Sequence, residues 1–270
     1  MRFTRPPDLD GVTTALAGGD ALVVGGGTMV VPELTHGRVD PPAVVDLSHA
    51  GLDGLTRAGG WVVGAMVTYT ALERADVPLL SRVARGITGG PQIRNRGTAG
   101  GSASYANPSS DVPACLVALD ARLRLASVRG VREVAAAEFF LGAFRTVREP
   151  DEVLTEILLS DVDGKIGYLK FKLVEGSWPI VTAATVARPT AVRVVLGGAA
   201  AVPVAVELDP PPAGTTDPAW RAHVASVVER GIDEAGGGWD DVLAPGGYRR
   251  RIAPVIAARS VADALGEVTA

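Results

Sequence analysis

The chain has 270 residues, 47% hydrophobic and 21% charged, with 26 Lys+Arg against 30 Asp+Glu for a net charge of −4. That balance describes a globular chain with material for one large or two modest domains, and it excludes the basic footprint of a nucleic-acid-binding protein. Its single cysteine, Cys115, excludes an internal disulfide framework, a cysteine-held iron–sulfur cluster and a cysteine-based zinc site.

The N-terminal residues run into Asp8 and Asp10 with no apolar stretch, so no secretory signal and a cytoplasmic location are expected. Residues 21–24, 43–47 and 61–65 read as short apolar strands, the first ending in Gly25-Gly26-Gly27. Thr68 reads as the N-cap of a helix over 69–74, and Pro78 as the first turn of a helix carrying Leu79, Leu80, Val83 and Ile87. Residues 91–111 combine Pro91, Gly97, Gly100, Gly101 and Pro108 with small polar residues, and are expected to form one long functional loop. A helix over 111–119 follows, with Asp111 as N-cap and Cys115 as a buried, inert thiol. Residues 123–126 and 131–135 predict a hairpin, and 153–159 a further strand.

The chain changes character around 161–164. Residues 167–174, 180–188 and 191–196 predict antiparallel strands, and 218–234 and 248–265 predict helices. Strands followed by helices indicate an α+β fold. The longest apolar run, 194–206, contains Gly197, Gly198 and Pro203 and falls short of the ~20 residues of a membrane span.

Two glycine-rich segments stand out: Gly25-Gly26-Gly27-Thr28-Met29 and Thr98-Ala99-Gly100-Gly101-Ser102. Glycine lets a ligand approach the backbone, and consecutive free N–H groups make anion-binding concavities. Neither segment fits the Rossmann or Walker A spacing, so residue type alone leaves both an anion cradle and an ordinary glycine turn open. The three histidines, His36, His49 and His223, have no metal-ligand spacing, and no nucleophile elbow is present. Arg249-Arg250-Arg251 reads as a solvated helix turn.

The segment from Pro91-Gln92-Ile93-Arg94 through Gly97-Thr98-Ala99-Gly100-Gly101-Ser102 and on to Asn107-Pro108-Ser109-Ser110-Asp111-Val112-Pro113-Ala114 resembles the signature of the FAD-binding medium subunits of molybdenum hydroxylases. That group includes aerobic carbon monoxide dehydrogenase and xanthine dehydrogenase. The first glycine loop, Tyr168-Leu169-Lys170 and the Tyr248-Arg249 pair at the start of the last helix resemble further family motifs in the same order. Four positions depart from the pattern: Ser102 stands for the usual Asn or Asp, Ala99 for Ile, Met29 for a small or acidic residue, and Val174 for an arginine.

The resemblance implies an FAD-binding domain over 1–163, split near 55, and a smaller domain over 164–270 with an antiparallel sheet and helices. It implies one FAD held by Val24, Gly25, Gly26, Gly27, Thr28 and Met29 in the first loop, and by Thr98, Gly100, Gly101 and Ser102 in the second. Asn107, Asp111, Lys170 and Trp178 complete that set. For Lys170 a solvent-facing strand lysine, and for Trp178 a surface-loop tryptophan, remain the alternatives. A side chain at Gly100 or Gly101 is expected to occupy the approach to the pyrophosphate. The implied function is electron transfer, with no catalytic acid, base or nucleophile and no metal on this chain. The 2Fe-2S clusters and the molybdenum cofactor belong to a small and a large partner subunit, in an expected dimer of heterotrimers without nucleic acid or transmembrane segment. Substrates on the partner span carbon monoxide, purines, N-heterocycles and aldehydes. The competing readings are a self-sufficient flavin oxidoreductase and a non-catalytic subunit that has lost FAD.

Overall fold

The computed structural model describes residues 1–267. The chain begins with β1 (Arg2–Thr4), α1 (Leu9–Leu16), β2 (Ala21–Val24), α2 (Val30–Thr35) and β3 (Ala43–Asp46). The three strands form a parallel sheet with β3 in the middle. The sequence reading missed β1, α1 and α2. Helix α1 is nonetheless well specified: the Asp8 carboxylate accepts the Gly11 N–H at 2.8 Å, and Val12 and Leu16 are fully buried one turn apart.

The next segment contains β4 (Leu55–Arg57), β5 (Trp61–Gly64), α3 (Tyr69–Arg74), α4 (Leu80–Arg85), α5 (Gly90–Arg94), α6 (Ala99–Tyr105) and α7 (Asp111–Ala118). It continues with β6 (Arg122–Ser127), β7 (Gly130–Ala135), α8 (Ala136–Phe139), the small pair β8 (Phe140–Gly142) and β9 (Arg145–Thr146), and β10 (Val153–Leu159). A five-stranded sheet results, in the order β4-β5-β10-β6-β7. Four further elements, β11 (Lys165–Lys172), β12 (Pro179–Ala187), β13 (Val192–Gly197) and β14 (Val204–Leu208), make an antiparallel meander in sequence order. Helices α9 (Pro218–Glu234) and α10 (Gly246–Leu265) cover it. The fold is α+β.

Two expectations are corrected. Residues 91–111 are not one loop but hold the end of α5, all of α6 and the start of α7. Glycine lowers helix propensity by about 1 kcal/mol against alanine, which masks α6 in the sequence. Packing overrides it: Ala99, Gly100 and Ala103 are buried, and the Thr98 hydroxyl caps the helix by accepting the Gly101 N–H at 2.9 Å. Pro78 lies before α4, whose N-cap residue Leu79 has φ +61°. The apolar run 194–206 is divided between β13 and β14 by the turn containing Gly198 and Pro203.

Helix α7 is the centre of the molecule. All eight of its residues are buried, because it is sandwiched between the five-stranded sheet's core and strands β12 and β13. Its N-cap is Ser110, so Asp111 occupies the first helical position instead of the cap. Strand β12 is likewise buried at all nine positions, with α7 on one face and α10 on the other.

Of the arginine triplet at the start of α10, Arg250 and Arg251 reach solvent as expected, but Arg249 does not. Arg249 is fully buried. Its guanidinium donates to the carbonyls of Gly198 at 3.0 Å and Ala244 at 3.2 Å, to the Ile180 carbonyl and to the Asp241 carboxylate. Burial acts to raise the Asp241 carboxyl, but the Leu243 N–H, the Arg249 charge and the Trp239 N–H together hold it below its ordinary value. Replacing Arg249 with Met would remove the only formal positive charge bonded to Asp241 and the donors to the Ile180 and Gly198 carbonyls. We expect a loss of about 3–5 kcal/mol in urea denaturation, the cost typical of breaking a buried pair from one side.

Candidate functional site

The first glycine loop joins β2 to α2. The N–H groups of Gly26, Gly27, Thr28 and Met29 donate to no acceptor among the described residues, and Met29, in the N-cap position of α2, has no capping side chain. Gly27 has φ +76°, a conformation that favours glycine. Four consecutive unpaired donors facing a cleft require water or an anionic ligand.

The second loop differs. Its N–H groups are largely satisfied internally: Gly101 donates to the Thr98 hydroxyl, Ser102 to the Thr98 carbonyl at 3.0 Å, and Ala99 to the Val67 carbonyl at 3.3 Å. Its glycines serve close packing of main chains. A Cβ on Gly26 would lie 1.8 Å from the Arg96 carbonyl oxygen, and one on Gly100 would lie 2.5 Å from the Ala65 carbonyl oxygen. The expectation that a side chain at Gly100 enters the ligand space is therefore corrected, because that side chain meets protein backbone first. Gly101 is different again: its Cβ would press on the Thr98 hydroxyl at 2.8 Å.

Between the interlocked loops and β10 lies a cleft of about 1050 Å³ measured out to its open mouth. Residues Gly25 through Met29 line it, as do Thr98, Gly100, Gly101 and Ser102 of the second loop. Asn107 lines it from the segment between α6 and α7, and Trp178 from the β11–β12 hairpin. Trp178 is 36% exposed. Val24, Asp111 and Lys170 are not on the lining. Val24 ends β2 immediately before the loop, and the other two lie behind Ser110, which does line the cleft.

Asp111 and Lys170 form a buried pair, with side chains only 5% and 10% exposed. Lys170 Nζ donates to Asp111 Oδ2 at 2.9 Å and to the Gly86 carbonyl at 3.0 Å, so it is not a solvent-facing strand lysine. The Tyr168 hydroxyl donates to the other Asp111 oxygen. Burial and the Asp111 charge push the Tyr168 phenol well above its ordinary range, keeping it a donor. A second contact holds the same segment: Asn107 Oδ1 accepts the Ser109 N–H at 2.9 Å, and the Ser109 hydroxyl donates to Asp241 at 3.1 Å.

Sequence reasoning missed Tyr69, Arg148 and Glu152 as cleft residues. Tyr69 was visible only as the first residue of a short helix, and nothing local marks Arg148 or Glu152. The Tyr69 and Ser102 hydroxyls are hydrogen-bonded to each other on the cleft wall. Burial pushes the Tyr69 phenol up, against the effect of the Ser102 bond and with that of the Asp111 charge. Cys115 is buried in α7, where desolvation and the Asp111 charge raise its thiol well above the usual range. Among the described residues no group of three His, Cys, Asp or Glu side chains is placed to hold a metal, and no helix is long and apolar enough to cross a membrane.

Residues 1–159 match the family described as FAD binding domain in molybdopterin dehydrogenase. The chain is similar to the nicotine 6-hydroxylase medium subunit of Paenarthrobacter nicotinovorans, at 29% identity over 74% of this chain and 75% of that one. It is similar to the carbon monoxide dehydrogenase medium chain of Hydrogenophaga pseudoflava, at 34% identity over 63% of this chain and 62% of that one. The crystal structure of quinoline 2-oxidoreductase from Pseudomonas putida 86 superposes with a TM-score of 0.84 at 25% identity, covering 100% of this chain and 98% of that one.

Two outcomes follow from this geometry. Gly26→Ala and Gly100→Ala each lower stability by about 1–3 kcal/mol or more, the range of overpacking, in denaturant titrations run without any ligand. Gly101→Ala has a smaller effect, about that of losing one cap. Cys115 stays unreactive toward a thiol reagent at pH 8 in the native protein and reacts once denaturant is added.

Proposed function

The chain belongs to the family of FAD-binding domains in molybdopterin dehydrogenases, and from that premise we propose that it is the FAD-carrying electron-transfer subunit of a multi-subunit molybdenum hydroxylase. The observation that carries the proposal is the run of four unpaired N–H groups, Gly26 to Met29, on the lining of an open cleft that both glycine loops share. Their chemistry fits a pyrophosphate: several donors converge, fixed in place, and need no charge of their own.

The residues then have distinct tasks. Gly26, Gly27, Thr28 and Met29 hold the diphosphate. The Thr98–Ser102 turn braces that loop from behind, and the Tyr69–Ser102 hydroxyl pair supplies a side-chain hydrogen bond where the family pattern has Asn or Asp. Trp178 offers its indole face to the flavin ring at the mouth of the cleft. Asp111, Lys170 and Tyr168 keep the segment carrying Asn107 and Ser110 at a fixed distance from β11. The bound flavin supplies the exchange between single electrons and electron pairs, and the protein binds and orients it.

The division of labour follows from the family the chain belongs to. One buried cysteine cannot hold a cluster. The family resemblance, not that absence, assigns the 2Fe-2S clusters that would deliver electrons to a small partner subunit and the molybdenum site that oxidises substrate to a large one. We place two copies of each chain in a cytoplasmic complex, with an external acceptor taking the electrons. The 164–270 segment acts as the second domain, carrying Trp178 to the cofactor held by residues 1–163 and Lys170 to the Asp111 carboxylate behind it.

The test is flavin binding and partner capture. Chain purified and incubated with FAD is expected to retain flavin near one per chain, released on denaturation as FAD. An absence of flavin absorption bands after incubation would sink the proposal. Co-expression with its partners is expected to yield a complex whose reduction by substrate bleaches both the flavin and the iron–sulfur bands, whereas flavin reduction by substrate in the isolated chain would establish a self-sufficient oxidoreductase instead.

A further inference from the structure

Arg148 is the one cation among the residues that line the cleft, and no motif accounts for it. Its Nη1 donates to the carbonyls of Glu149 at 3.0 Å and Glu152 at 2.7 Å, so the turn over 148–152 closes on the guanidinium and holds it in place. Two of the three acids of the same turn are engaged elsewhere, Asp151 by Arg129 at 2.7 Å. Glu152 accepts the Glu149 N–H at 2.8 Å and two Arg132 donors at 2.6 and 2.8 Å. Among the described residues no carboxylate lies within ion-pair distance of Arg148, and its Nε and Nη2 groups have no acceptor. Burial lowers its pKa, against the pull of the Glu152 and Asp151 charges. A partly desolvated guanidinium with free donor edges is costly until something meets it.

The surroundings say what that is. The cleft that Arg148 lines is also lined by the apolar side chains of Leu22, Val23, Leu47, Val153 and Leu154. Leu22 and Val23 lie on β2, whose end opens directly into the unpaired N–H loop. One cleft thus combines an apolar lining, a single planar cation and an anion cradle. A guanidinium on an apolar wall suits a flat heteroaromatic ring with acceptor nitrogens, stacking on its face or donating to its edge. The diphosphate already has its donors in residues 26–29, which leaves Arg148 for the group one ribose further on.

We infer that Arg148 binds the adenosine half of the cofactor and thereby makes the cleft selective for the dinucleotide over flavin mononucleotide. The inference rests on the FAD reading above, and the test separates the two. In the full chain, FAD, FMN and AMP are titrated into the unaltered protein, Arg148→Met and Arg148→Lys, following flavin fluorescence for the first two and calorimetry for AMP. Arg148→Met is expected to weaken FAD and AMP by about 10- to 100-fold, the range for a charge-assisted hydrogen bond, and to leave FMN unchanged. Arg148→Lys, which keeps the charge without the planar fork, is expected to fall between them. The Glu152–Arg132 bonds remain in both variants, and because Arg148→Met also removes the two carbonyl bonds of its turn, FMN affinity is the control that separates a local structural loss from loss of the adenosine contact.

Equal FAD affinity in Arg148→Met overturns the inference. So does an equal loss for FAD and FMN, which would place the guanidinium on the phosphate or in the fold. If the unaltered chain binds AMP in an Arg148-dependent way but no flavin, the FAD reading fails and the adenosine site stands.

Discussion

Burial of α7 on every face is the constraint on which the rest depends. A helix of that composition, with no polar side beyond its first residue, cannot sit at a surface and must be covered twice. One cover is the core of the five-stranded sheet, and the other is β12 and β13 of the C-terminal sheet. Placing α7 therefore places the two halves of the chain against each other. It also leaves one charged group, Asp111, at the buried end of the helix, where only Lys170 and Tyr168 from β11 can satisfy it. A lone carboxylate there would cost several kcal/mol, so the pair acts as a register mark between the halves.

The cleft inherits its shape from that register. The segment between α6 and α7 is held at Asp111 by β11 and at Ser109 by Asp241, which is itself anchored by the buried Arg249. Asn107 and Ser110 consequently face the cleft from a segment tied at both ends. Trp178 arrives from the hairpin that ends β11. The C-terminal sheet thus contributes one residue directly and fixes two others indirectly, although the unpaired donors all belong to the N-terminal sheet.

The two glycine loops look equivalent in the sequence and are not equivalent in space. Gly26 and Gly100 are glycines because another main chain occupies the volume of a Cβ, at Arg96 and Ala65 respectively. The first loop leaves four consecutive N–H groups open, whereas the second satisfies those of Ala99, Gly101 and Ser102 internally. The second is a brace whose free polar side chain, Ser102, is shared with Tyr69. The small-residue signature is accordingly in part a packing signature. That also explains why α6 was read as loop: residues chosen for close approach have poor helix propensity, yet their burial holds the helix.

Wherever the pattern is local, the sequence by itself determined the outcome. The α+β order of elements, the hairpin at β6–β7, the Thr68 cap and helix α9 follow from periodicity, caps and turn residues within a few positions of one another. Membership of the flavoprotein family was legible too, since its glycine and proline spacings are themselves short-range. What only the tertiary structure decided depends on groups far apart in the chain. Asp111 became half of an ion pair with a residue 59 positions away, in place of a helix cap. Arg249 became a buried clamp on the Gly198 and Ile180 carbonyls, in place of a solvated charge. Arg148 became a cleft cation, sharing a lining with the Gly25–Met29 loop more than a hundred positions earlier. A side chain's neighbours across a sheet or a helix interface set its desolvation and its hydrogen-bond partners, and no local window of sequence contains them.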